Sequence, residues 1–158
     1  MRRHVTTTAA VLIGLFSFSA PVSARQLHSM IGTWDLDMSK FTRAQPPKAV
    51  SIVLSAADAG KFKMSVDIVD SDGKKSHSEG VFKPDGVPSP AIGSTDVDVV
   101  SMTMPNKKVL VMGAGYKGHP SNTRVFTISE DGKHMSETVV GHGADGTPNT
   151  QINTWNRR

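Results

Sequence analysis

The sequence predicts an all-β fold, a single antiparallel up-and-down β-barrel of about eight to nine strands. Three observations carry that expectation. Apolar and polar residues alternate with a period of two in several short runs, tight-turn dipeptides separate those runs, and no window after residue 24 sustains a helical repeat.

The elements follow in order. Met30–Met38 opens the series. Val50, Ile52 and Leu54 then alternate with Ser51, Val53 and Ser55, and Phe62, Met64, Val66 and Ile68 with Lys63, Ser65 and Asp67. Such patterning puts one face of each strand on a core and the other in water. The remaining strands are expected at Ser76–Lys83, Val97–Met104, Lys108–Gly113, Thr123–Ser129, His134–Gly141 and Thr150–Arg157. Asp72-Gly73, Asp85-Gly86, Asp131-Gly132 and Asp145-Gly146 supply the positive-φ glycine that tight reversals favour, and Ala59-Gly60 and Pro105-Asn106 fill two further gaps. A meander of this kind exposes two strand edges, and closing into a barrel removes them. A two-sheet sandwich satisfies the same alternation.

The first 24 residues read differently. Met1-Arg2-Arg3-His4 is a basic start, Ala9 to Ala20 a short apolar run, and Val22-Ser23-Ala24 a small-residue end. These are the parts of a secretory signal peptide over residues 1–24, leaving residues 25–158 as one domain that is periplasmic or secreted. The apolar run is too short to span a bilayer, so no membrane span is expected. With no cysteine in the chain, disulfides and a lipid anchor are excluded. Arg2 and Arg3 account for two of the 18 Lys and Arg, so the domain carries 16 basic residues against 14 acidic ones. Its lysines are scattered or sit in turns, with few aromatic residues to stack on bases, which argues against a nucleic-acid partner.

The segment Gly32-Thr33-Trp34-Asp35-Leu36, with Lys40 and Phe41 following, resembles the first strand of the calycin superfamily. Lipocalins carry Gly-x-Trp there and fatty-acid-binding proteins Gly-Thr-Trp-x-Leu. With Lys40 and Phe41, the segment most resembles the opening of small exported bacterial lipocalin-like proteins. The resemblance implies that Trp34 plugs the closed end of a barrel and that an arginine of the last strand, Arg157, packs over its ring. A cation over an indole contributes about 0.5–2 kcal/mol. Gly32 would allow the close approach. The helical lid of fatty-acid-binding proteins has no counterpart in the short, proline-broken stretch 42–48.

The expected function is non-covalent binding or carriage of a small, mostly apolar molecule in the barrel interior, without metal or organic cofactor. On the parity of Phe62 and Met64, the binding residues would be Phe62, Met64, Ser78, Gly80, Phe82 and Met102, with Ser78 and Gly80 leaving room beside the larger side chains. The alternative is an isomerase, cyclase or lyase using His77, Glu79 or Tyr116 as acid–base groups. If Phe82 points inward, His77 and Glu79 face solvent. A third reading is an interaction module binding another protein or itself, for example through an edge at Val109–Met112. Gly113-Ala114-Gly115-Tyr116-Lys117-Gly118 matches a dinucleotide fingerprint in letters, but His119-Pro120 follows where the fingerprint requires a helix.

Overall fold

Alternation in the sequence becomes ten strands in the computed structural model, which describes residues 29–42, 45–143 and 145–158. The signal peptide expected over residues 1–24 lies outside the described residues. The strands are β1 (Gly32–Leu36), β2 (Ala49–Ala56), β3 (Phe62–Val69), β4 (Lys75–Phe82), β5 (Ser89–Pro90), β6 (Val99–Asn106), β7 (Val109–Tyr116), β8 (His119–Ile128), β9 (His134–His142) and β10 (Pro148–Arg157). The count exceeds the expected eight to nine by the two-residue β5, whose Pro90 and shortness give no alternation to read. The first strand is also shorter than Met30–Met38: Met38–Lys40 forms a 3₁₀ turn, with the Asp37 carboxylate accepting from the Ser39 amide at 3.1 Å.

Every neighbouring pair is antiparallel, in the order β4-β3-β2-β1-β10-β9-β8-β7-β6-β5. The first and last long strands are thus paired, with Trp34 opposite Arg157 and Leu36 opposite Trp155. One seam remains, between β4 and the β5–β6 side. Reciprocal backbone bonds between Glu79 and Ile92, at 2.9 and 2.8 Å, fasten its upper part, and the Gly86 amide donates to Met102 O at 2.8 Å below. The result is a nearly closed barrel. The four Asp-Gly glycines take φ between +71° and +90°, as their turns require.

Parity sorts the side chains. Trp34, Ile52, Leu54, Phe62, Leu110, Phe126 and Met135 are buried on the inner face, while Ser55, Asp67 and Thr127 lie outside. Strand β7 pairs on both sides, with β6 and with β8, so Val109–Met112 is not an exposed edge and the interaction surface expected there is corrected. The Gly113–Gly118 stretch is the end of β7 and its hairpin: Lys117 (φ +50°) and Gly118 (φ +80°) form the reversal into β8, and no helix follows. Among the described residues no helix is long and apolar enough to cross a membrane.

Candidate ligand-binding site

The two ends of the barrel are built differently. At one end Trp34 has no solvent exposure, and Arg157 lies over its ring with the guanidinium carbon 4.1 Å from the centroid. The indole N–H donates to Met30 O at 3.0 Å. Arg157 donates through Nε to Gly132 O at 2.7 Å, through Nη1 to Ile31 O at 2.7 Å and through Nη2 to Ser29 O at 2.6 Å. Gly32 makes room for this arrangement. At its φ of +145° a side chain is disfavoured, and an added Cβ would lie 2.6 Å from Arg157 Nη1. This end is closed.

Toward the other end the side chains do not meet, leaving a cavity of ≈ 530 Å³. That is within the range of small-molecule sites, about 300–1,000 Å³. Its apolar walls are Ile52, Met64 and Val66 from β2 and β3, Phe82 from β4, Val100 and Met112 from β6 and β7, and Trp155 from β10. Gln45, Asp70, Ser71 and Asp96 lie around the mouth, on the loops at the open end.

One wall is polar. Arg124 (β8), Glu137 (β9) and Asn153 and Trp155 (β10) project inward from adjacent strands, because each shares the parity of a core residue: Arg124 with Phe126, Glu137 with Met135, Asn153 with Trp155. Register makes them meet, since Glu137 lies opposite both Phe126 and Asn153. The Glu137 carboxylate has no solvent exposure. Its Oε1 accepts from Arg124 Nη1 at 2.8 Å, and its Oε2 accepts from Asn153 Nδ2 at 2.8 Å and Trp155 Nε1 at 3.1 Å. Outward from this centre, Arg124 Nε donates to Asn122 Oδ1 at 2.9 Å and Gln151 Nε2 to Asn153 Oδ1 at 2.6 Å. Desolvating a carboxylate costs several kcal/mol, and here a cation and two neutral donors offset it. The cluster has one carboxylate and no histidine, a poor donor set for a metal; among the described residues no metal-ligating group of three or more is found.

The residues expected at the site divide. Met64, Ser78, Gly80 and Phe82 line the cavity. Phe62 and Met102 do not; both are buried lower in the barrel, Phe62 with its ring 6.3 Å from that of Phe82. Gly80 leaves no free space, because the Phe82 ring folds back over it and an added Cβ would collide with that ring. Ser78 and Met64 border the space itself. His77 and Glu79 face outward. His77 Nδ1 pairs with Asp67 Oδ1 at 2.7 Å and its Nε2 with Glu79 Oε2 at 3.3 Å, while Glu79 meets Lys63 Nζ at 2.6 Å. Hydrogen bonding to Asp67, then to Glu79, raises the His77 pKa; Lys63, then His77, lowers that of Glu79. Tyr116 ends β7, separated from β4 by β6 and β5, under Lys117 with its Nζ 5.0 Å from the ring centroid. The three acid–base candidates are therefore not brought together. Arg124, Glu137 and Asn153 were not singled out from sequence, although a charged residue on the apolar parity of a strand was the available signal.

No protein-family model matches the chain, and no curated protein matches it. Among solved structures it is similar to a variant of the fluorescent protein UnaG, with a TM-score of 0.57 and 14% identity, over 83% of this chain and 97% of that one. At that identity the likeness concerns the fold. With the nearly closed antiparallel meander and the Trp34–Arg157 plug, it identifies the barrel as a calycin-like fold.

Proposed function

We propose that this protein binds or carries a small, mostly apolar molecule inside the barrel, and does so outside the cytoplasm after export on the residue 1–24 leader. The cavity carries the reading: it is ligand-sized, has an apolar wall of Ile52, Met64, Phe82 and Val100, and bears one cluster of convergent polar groups, Arg124, Glu137 and Asn153. The outward position of His77 and Glu79 supports binding over acid–base catalysis by that pair.

Titration with Nile red, a neutral apolar dye whose emission rises in a dry site, tests it. Wild-type protein is expected to bind the dye saturably. Ser78→Trp places an indole in the cavity from β4 and should weaken binding by about tenfold or more, with a melting temperature close to wild type. Equal dye binding by a folded Ser78→Trp variant, or no saturable binding by wild type, would contradict the reading.

A further inference from the structure

The charges around the cavity restrict what its occupant can carry at its polar end. Among the described residues Arg124 is the one cationic side chain that lines it. That charge is already answered, since Nη1 meets a Glu137 carboxylate with no solvent exposure at 2.8 Å. Asp70 and Asp96 add two carboxylates at the mouth. A carboxylate or phosphate head group entering here would shed its hydration without meeting a net positive charge. Burying an ion on those terms is unfavourable, because its lost hydration is not replaced.

A cationic head group fares no better. Both Glu137 oxygens already accept from Arg124, Asn153 and Trp155, and the carboxylate's charge is answered by Arg124. What the wall offers is a donor. Arg124 is about a third exposed, at 32%, and its Nη2 donates to no protein acceptor among the described residues. A carbonyl, ester or hydroxyl oxygen can accept from Nη2 at the small desolvation cost of a neutral group.

We propose that the natural occupant is an uncharged amphiphile, with its apolar body against Met64, Phe82 and Val100 and a neutral oxygen accepting from Arg124. The inference rests on the binding function proposed above and specifies the head group of its ligand.

Displacement of bound Nile red by three probes of one chain length, 2-dodecanone, dodecanoate and dodecylammonium, tests it on the full mature protein at mildly alkaline pH. On wild type the ketone should displace the dye at a concentration about tenfold or more below either ion. Glu137→Gln removes the counter-charge with little change of shape. It should move the ratio of dodecanoate to ketone affinity about tenfold or more toward dodecanoate. Dodecanoate or dodecylammonium displacing as well as the ketone on wild type would overturn the proposal, and so would an unchanged ratio in a Glu137→Gln variant shown by its melt to be folded. If that variant does not fold, the wild-type ranking decides. Failure of Nile red itself to bind is a different result, because it removes the binding function and this inference with it.

Discussion

The closed end and the cavity wall each hold an arginine and a tryptophan on the inner face, and the two sets are bonded differently. Arg157 lies over Trp34 in one, and Arg124 and Trp155 share Glu137 in the other. At the closed end Arg157 and Trp34 direct their donors to backbone carbonyls, at Ser29, Met30, Ile31 and Gly132. Three of those acceptors lie in the segment just before β1 and one in the β8–β9 turn. In the upper half Arg124 and Trp155 direct theirs to side chains, both to Glu137 and Arg124 also to Asn122, and Arg124 lines the cavity. The same two residue types thus make a plug where the backbone satisfies them and a polar cavity wall where side chains do so. On the proposed function, the first pair should govern stability and the second ligand preference.

That division can be broken in order of effect. Trp34→Ala should cost about 3–5 kcal/mol of unfolding free energy by denaturant titration, because a fully buried indole leaves a cavity. Any variant still folded should keep the wild-type preference among ligands. Arg157→Met retains a chain over the ring but loses three donors, and should cost about 2 kcal/mol. The two losses should be non-additive, since the groups touch at 4.1 Å. Strict additivity in the double variant would separate plug and cation.

The smallest effect belongs outside the barrel. The folded-state pKa of His77 is raised by Asp67 and then Glu79. Its pairing therefore contributes fully below the ordinary histidine value of 6.5 and is lost as pH rises through the raised folded value. His77→Ala should lower the melting temperature slightly at about pH 6 and less at about pH 9, with Nile red binding unchanged at both. An equal loss at both pH values would mean that His77 acts by packing and not by charge.

The contrast between the ends also explains what the sequence disclosed. Alternation in Val50–Leu54 and Phe62–Ile68, punctuated by Asp-Gly turns, needs only neighbours along the chain, so the meander was legible. Trp34 behind Gly32-Thr33 and Arg157 near the other terminus were legible through their resemblance to calycin ends. Strand β5 was not, being two residues long and half proline. The Arg124–Glu137–Asn153 wall was not either, for a physical reason. The inward parity of Arg124 and Glu137 shows along each strand, but only the register of β8 on β9 and β9 on β10 turns three separate polar residues into one cluster. Gly80 misled for a related reason: its missing side chain suggested space, but the rotamer of Phe82, two residues along the same face, fills it.

The two tryptophans provide the most direct test, since the chain has only two. Their indole N–H groups give two resonances in a ¹⁵N–¹H correlation spectrum. Trp34 reports the plug through Met30 O, and Trp155 reports the cavity wall through Glu137. Titration with 2-dodecanone should shift the Trp155 indole resonance progressively and leave that of Trp34 in place. A shift at Trp34 with Trp155 unmoved, or no shift at either, would contradict the assignment of binding to the upper half of the barrel.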